Sequence, residues 1–331
     1  MDKRLLLLLN PASGMRRANR LMPEIIRLYN DRNYECAVYI TSGSGDATRF
    51  MRANAAHYDR VVCIGGDGTL NETIAGIIEA GVRCPVGYIP AGTTNDYAAS
   101  LGLSSDILTA AADAVDGVGC YFDMGSFNGR NFIYTASCGA FARTSYTTSQ
   151  LAKNVLGHAA YVIEGIKDLP SLKPIHMRVE CEDRVLEDDY IFCAVTNSIS
   201  VGGILKLNPD MVRLNDGLFE VLLIKYPTMP GHLPQILRAL YSGELNCDMI
   251  DSFTVDRLCV KTISDVEWTL DGERGEAGRE FEIINQYKKI QLVLPENAAK
   301  TAPVISDTAP APLEDANAAI AKNEIENELS N

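Results

Sequence analysis

A glycine-dense turn, Ile64-Gly65-Gly66-Asp67-Gly68-Thr69-Leu70-Asn71-Glu72, lies between an apolar run and a segment of helical period. Glycines let backbone approach an anion closely, and the helix beyond offers N–H groups and partial positive charge to a phosphate. Asp67 or Thr69 would serve as a plain helix cap, but Asp67, Asn71 and Glu72 beside the glycines favour the phosphate reading. The spacing fits neither G-x-x-x-x-G-K-[ST] nor G-x-G-x-x-G. A second polar loop, Pro90-Ala91-Gly92-Thr93-Thr94-Asn95-Asp96, follows the next apolar run. Asn10-Pro11-Ala12-Ser13-Gly14 and Thr41-Ser42-Gly43 follow two others. In an open parallel sheet, loops at the carboxyl ends of neighbouring strands face one crevice, so Asp67 and Asp96 are expected to share a site.

Two further segments carry carboxylates beside glycine. Val266-Glu267-Trp268-Thr269-Leu270-Asp271-Gly272-Glu273 reads as a strand ending in a turn. If the strand continued, Asp271 and Glu273 would project to one face; a simple Asp-Gly hairpin turn is the other reading. Arg213-Leu214-Asn215-Asp216-Gly217-Leu218 offers the same choice. Arg16, Arg17, Arg20 and Arg27 crowd one helical segment, giving either a solvated face or attraction to ATP or an anionic headgroup. Histidines 57, 158, 176 and 232 show no metal spacing.

The elements that must carry these loops follow from periodicity. Residues 5–9, 36–40, 61–64 and 86–89 are apolar runs of strand length, separated by helical spacing over 15–29, 46–55 and 69–80. Strands alternating with helices imply an α/β unit with a mostly parallel sheet over 1–124. From about residue 121, short alternating runs and the turn signals Asn128-Gly129, Asp216-Gly217 and Asp271-Gly272 imply antiparallel strands. The strands expected there are 132–136, 176–181, 191–195, 219–224, 253–260, 266–270 and 290–294, with helices near 150–167 and 232–240. A second domain over 125–284 is expected, with a strand near 285–296 returning to complete the first. Residues 297–331 read as an acidic, disordered tail.

Composition limits the function. Of 331 residues, 30 are Lys or Arg and 43 Asp or Glu, a net charge of −13 that argues against a nucleic-acid binder. Nine scattered cysteines without C-x-x-C favour a reducing compartment over a disulfide frame or a zinc site. The leucine run at the start is too short for a signal peptide and reads as a buried strand. No apolar stretch approaches the roughly 18 residues that span a bilayer. A cytoplasmic protein with at most peripheral membrane contact is expected.

The combination N-P-x-S-G, then G-G-D-G-T-x-N-E, then P-x-G-T-x-N-D-x-A resembles the diacylglycerol kinase catalytic-domain family, and among its members the soluble bacterial diacylglycerol kinases. G-G-D-G-T alone is shared with NAD kinases and phosphofructokinases, so the flanking motifs carry the specificity. The resemblance implies an α/β nucleotide-binding domain, a β-sandwich lipid-binding domain and a site in the cleft between them. It places ATP against Asn10, Pro11, Ala12, Ser13, Gly14, Thr41, Gly66, Asp67, Gly68, Thr69, Leu70, Asn71, Glu72 and Thr93. It makes Asp67 and Asp96 the organisers of a catalytic Mg2+ and its waters, Asp271 the general base, and Glu273 a member of the metal-water network. It assigns a structural Mg2+ to Asp216 with the carbonyls of Arg213 and Leu218, where the resembled loop has Lys in place of Arg213.

The implied activity is transfer of the ATP γ-phosphoryl to diacylglycerol at the inner membrane surface, by a protein that could pair as a homodimer. Rival readings are a kinase for ceramide, a sphingoid base or phosphatidylglycerol, an NAD kinase, and a nucleotide-gated lipid-binding protein without catalysis. The N-E-[D/E] and G-F-L segments of NAD kinases are missing from the sequence. Asp67, Asp96, Asp271 and Glu273 together argue against loss of catalysis.

Overall fold

The computed structural model describes residues 3–13, 17–92, 95–140, 173–182, 184–201, 205–207 and 212–301. Gly14, Arg16, Thr93, the helical segment expected at 150–167 and residues 302–331 lie outside this set.

The five consecutive leucines form β1 (Lys3–Leu9). Leu6 and Leu8 enter one apolar cluster while Leu5, Leu7 and Leu9 enter another, so the strand is buried on both faces. A strand covered from both sides has no polar face to keep, hence the unbroken run. β1 pairs in parallel with β2 (Tyr34–Ile40) and β3 (Arg60–Gly65), and β3 pairs in parallel with β4 (Val86–Pro90). One face is covered by α1 (Arg17–Arg20), α2 (Met22–Asn30) and α6 (Ile107–Asp116). The other is covered by α3 (Asp46–Asn54), α4 (Asp67–Glu79) and α5 (Asp96–Ser100). The single helix expected over 15–29 is two, because Pro23 begins α2, where its missing N–H costs nothing and its ring forbids continuation from α1.

The chain then enters β5 (Val118–Phe127), β6 (Arg130–Phe132), β7 (Thr135–Gly139), β8 (Ile175–Glu180) and β9 (Val185–Thr196). The short pair β10 (Ser200–Val201) and β11 (Leu205–Lys206) stands apart. β12 (Phe219–Lys225), α7 (His232–Ser242), β13 (Ile250–Val255), β14 (Arg257–Leu270), β15 (Glu273–Leu294) and α8 (Glu296–Thr301) complete it. The strands expected at 132–136 and 253–260 each prove to be two, and β5, with little alternation to announce it, was not anticipated. The described part of the tail expected from 297 is helical, since α8 runs to Thr301 and buries Ala298.

Pairing among β5–β9 and β12–β15 is antiparallel. Trp268, Phe127, Phe132, Phe219 and Phe281 fill the core of this half. The two halves share a sheet, because the end of β15 pairs in parallel with β4 through Leu292 and Val293. β5 follows β15 along most of its length, except at a bulge between Gln286 and Ile290 where Lys288 adopts φ +47°. One apolar cluster crosses the boundary, joining Leu70, Tyr88 and Tyr97 to Ile133, Tyr134 and Leu214.

Candidate active site

At the carboxyl ends of β1, β2 and β3 a pocket of about 460 Å³ opens. Asn10 to Ser13, Thr41 to Ser44, and Gly66, Gly68, Thr69 and Glu72 line it, with Glu273 entering from the other half. The loop after β1 is shaped by Asn10, whose Oδ1 accepts the Ala12 N–H at 3.0 Å and whose Nδ2 donates to Thr69 Oγ1 at 3.0 Å. That second bond ties the loop to the first turn of α4. Thr41, largely buried, donates its N–H to the Leu9 carbonyl at 2.9 Å.

The glycines do steric work at two places. A Cβ on Gly92 would meet Gly66 Cα at 2.6 Å, so the loops after β3 and β4 touch backbone to backbone. A Cβ on Gly68 would meet Glu273 Oε1 at 2.7 Å, so the glycine leaves room for that flexible carboxylate against α4. Asn95 holds the second loop in a left-handed turn of φ +52°, its side chain exchanging hydrogen bonds with Gly92 N and O at 2.9 and 3.1 Å.

The two helix N-termini at the pocket differ. α4 begins at Gly66 with no side-chain cap. At α3 the Glu72 carboxylate accepts Gly45 N–H at 2.7 Å and Ala47 N–H at 3.3 Å. Its Asp46 takes the Ser42 N–H and hydroxyl at 2.8 Å each, bonds that hold its carboxyl below the usual range. The α3 end is thus filled by carboxylates, while at the α4 end the Thr69 and Leu70 N–H groups are bonded to the Gly66 carbonyl and the N-cap glycine offers no side chain. Glu72 therefore shapes the pocket as well as lining it.

Two residues expected at the nucleotide turn away. Leu70 is fully buried in the core and its N–H is bonded to Gly66 O, so no side chain of Leu70 faces the pocket. This corrects the expectation for Leu70; a residue one step from Thr69 on a helix faces the sheet. Asn71 leaves the pocket too, and its Nδ2 donates to Asp271 Oδ2, a residue 200 positions later. Asp67 accepts the Tyr88 hydroxyl at 3.2 Å. Asp96 begins α5.

Asp271 and Gly272 form a two-residue hairpin between Leu270 and Glu273, with φ +51° and +80°. The chain reverses there, so the shared face expected for Asp271 and Glu273 does not arise. Asp271 turns inward and is 6% exposed, whereas Glu273 is exposed at the pocket. The Asp271 carboxylate accepts N–H groups from Ile133, Tyr134 and Thr135 at 2.7, 2.9 and 3.1 Å, besides Asn71. Burial pushes its carboxyl up to about 6 against the opposing pull of those donors. Of the four partners only Asn71 is a side chain able to swing aside.

The loop before β12 holds the other sequence-marked carboxylate. Asp216 is exposed, and its carboxylate accepts the Leu218 N–H at 3.0 Å. Beneath it lies Asp123 of β5, fully buried, a residue the sequence reading missed. Asp123 accepts Gly217 N–H and Lys288 N–H at 2.6 Å each, joining this loop to the β15 bulge. Burial raises Asp123 to about 6, and burial with the nearby Asp216 charge raises Glu220 to about 8. One Glu220 oxygen has no hydrogen-bond partner among the described residues. A lone Asp inside the apolar stretch Cys120-Tyr121-Phe122-Asp123-Met124 was the available signal. Among the described residues, no three His, Cys, Asp or Glu side chains are spaced to hold a metal.

Comparison with known proteins places this geometry. The diacylglycerol kinase catalytic domain matches residues 4–127, and the YegS C-terminal NAD kinase beta sandwich-like domain matches residues 135–290. A diacylglycerol kinase of Bacillus subtilis is 32% identical over 300 residues, covering 90% of this chain and 98% of the relative. The chain belongs to the diacylglycerol kinase family. A diacylglycerol kinase of Staphylococcus epidermidis is also 32% identical, over 83% of this chain and 87% of its own length. The fold is shared with a Bacillus anthracis diacylglycerol kinase structure at TM-score 0.69 and 20% identity, covering 90% of this chain and 98% of that one. In this family member the catalytic-domain segment supplies the pocket loops, and the second segment supplies Glu273, Asp271 and the Asp216 loop. All nine cysteines are free. No helix among the described residues is long and apolar enough to cross a membrane.

Proposed function

We propose that the chain transfers the γ-phosphoryl group of ATP to the hydroxyl of diacylglycerol, giving phosphatidic acid, with Mg2+ at the reaction centre. The observation that carries this reading is the Asn71–Asp271 hydrogen bond, which joins the helix flooring the pocket to a buried carboxylate of the second half. An alcohol is a poor nucleophile and needs a base beside the phosphoryl group it attacks. In this reading the uncapped end of α4 takes the phosphates, framed by Asn10 to Gly14, Thr41, Gly66, Gly68, Thr69 and Thr93. Asp67 and Asp96 hold the metal and its waters. Bound Mg2+ would neutralise charge on the phosphoryl oxygens.

Asp271 is the base. The acceptor hydroxyl takes the place of the Asn71 amide at Oδ2, and the proton passes to a carboxylate already raised to about 6. Glu273 at the pocket mouth orders water around the metal. Asp216, with the carbonyls of Arg213 and Leu218, holds a second, structural Mg2+. A cation at that loop would offset the burial that raises Asp123 and Glu220 beside it. The catalytic half is read as 1–124 completed by 285–296, and the lipid-binding half as 125–284. The lipid reaches the cleft at a membrane surface, with Arg16, Arg17 and Arg20 drawn to anionic headgroups.

The test is thin-layer separation of products from labelled ATP offered diacylglycerol, ceramide, phosphatidylglycerol and NAD. Labelled phosphatidic acid is expected; a labelled product from another acceptor alone overturns the assignment.

A further inference from the structure

The chain between β6 and β7 changes cores twice within a short stretch. Phe132 and Ala136 lie in the core of the second half, whereas Ile133 and Tyr134 between them lie in the apolar cluster that crosses the boundary, with Leu70, Tyr88 and Tyr97. Ile133 and Tyr134 are also residues whose N–H groups reach the Asp271 carboxylate, at 2.7 and 2.9 Å. Their backbone clamps the buried carboxylate while their side chains pack against the first half. The Tyr134 carbonyl stays with the second half, where it accepts the Asn197 N–H and the Thr196 hydroxyl at 2.8 Å each.

The grip on Tyr134 comes from one ring in particular. Tyr97 stacks on it with centroids 5.4 Å apart and planes inclined by 13°. Tyr97 is 1% exposed and lies in the first turn of α5, one residue beyond Asp96. Its hydroxyl has no hydrogen-bond partner among the described residues, so what Tyr97 contributes here is the ring, and phenylalanine would offer the same face. Close-packed interiors transmit displacement rather than absorb it. A ring fixed to α5 on one side and to the Asp271 clamp on the other therefore sets the spacing between them.

We propose that Tyr97 is a positioning residue: its ring, stacked on Tyr134, keeps the N–H groups that clamp Asp271 in register with the first turn of α5, and so holds Asp271 at a fixed place relative to Asp96. The inference rests on the readings of Asp271 as the base and Asp96 as a residue that holds the metal. Tyr97 acts through the backbone of Tyr134 and touches neither ATP nor lipid. Without the ring the two halves can shift against each other, while the pocket, lined by the first half except for Glu273, keeps its shape. The cost falls on the reacting geometry, hence on kcat rather than on KM for ATP.

The experiment measures kcat, KM for ATP and Tm for wild-type, Tyr97→Leu, Tyr97→Phe and Tyr29→Leu chains, with diacylglycerol in mixed micelles. Tyr29 is the matched control: it is 0% exposed, its hydroxyl has no partner among the described residues, and it lies in the cluster on the other face of the parallel strands. Both leucine variants should have a lower Tm. Only Tyr97→Leu should lose kcat, by about tenfold to a hundredfold with KM for ATP unchanged, and Tyr97→Phe should match wild type throughout. Tyr97→Met is carried in parallel, so that loss of the ring is read even if the leucine variant does not fold. Wild-type kcat without the ring, a raised KM for ATP, an equal loss of kcat in Tyr29→Leu, or a Tyr97→Phe as slow as Tyr97→Leu overturns the inference. A wild-type chain that phosphorylates no diacylglycerol, or an Asp271→Asn chain with wild-type turnover, overturns the functional reading beneath it instead.

Discussion

Asp271-Gly272 and Asp216-Gly217 are the same dipeptide, yet they end in opposite surroundings. The first is sunk at the boundary between the halves, its carboxylate enclosed by three backbone N–H groups and an asparagine. The second stays exposed, with Gly217 rather than Asp216 bonded to the buried Asp123. Fixed donors aim the buried carboxylate while burial raises its affinity for a proton, a combination that suits proton transfer. One that keeps free lone pairs at the surface suits a cation. Local turn chemistry placed a left-handed glycine in both, and their neighbours made the surroundings differ.

The sharpest way to break this contrast is Asp271→Asn. Turnover is expected to fall by roughly a hundredfold to ten-thousandfold, the usual scale of a general base. The substitution also places an amide nitrogen against N–H donors, so stability should drop by about 1–3 kcal/mol, read by denaturant unfolding. Wild-type turnover at saturating lipid would remove Asp271 from the mechanism.

Acidity sharpens the same point. With Asp271 raised to about 6, kcat/KM should decline on the acid side around that pH as the base becomes protonated. Stability should run the other way. A carboxyl raised on folding binds its proton in the native state before the unfolded one does, so the native state gains as pH falls from its folded pKa toward about 3.8. Asp123 acts in the same direction. The Tm of metal-free protein should therefore rise between about pH 7 and pH 5, and a Tm that falls steadily over that range would contradict the burial argument.

Asp216→Ala is the milder counterpart. It should leave turnover within a few-fold while abolishing the Mg2+-dependent part of the Tm; an unchanged response to chelator would rule out a cation at that loop. Glu72→Gln should raise KM for ATP several-fold and cost about 1 kcal/mol, because the α3 N-terminus loses a charged acceptor. Removing residues 302–331 should change neither activity nor Tm, since that segment has no aromatic residue and its apolar residues are mostly alanine. A cut before Ala298 should lower the Tm by comparison, as it removes buried contacts of α8.

Much of the first half could be read directly. β1 announced itself because strands buried on both faces are unbroken apolar runs, and α3 and α4 because their spacing is helical. The pocket loops followed, since each lies at the end of such a strand. α2 was drawn too long where Pro23 was overlooked as a start signal. β5 was missed because it lies buried along most of its length, so no alternation marks it.

What the sequence determined by itself is therefore local: the strand and helix periods, the glycines at the close approaches, and the two left-handed residues of the Asp271-Gly272 turn. These depend on backbone sterics and on spacing within a few residues. Tertiary structure alone decided that Leu70 enters the core, that Glu72 serves α3, that Asn71 reaches Asp271 and that Asp123 underlies the Asp216 loop. Those outcomes depend on desolvation and on hydrogen-bond partners up to 200 positions away, and neither quantity is carried by any short stretch of chain.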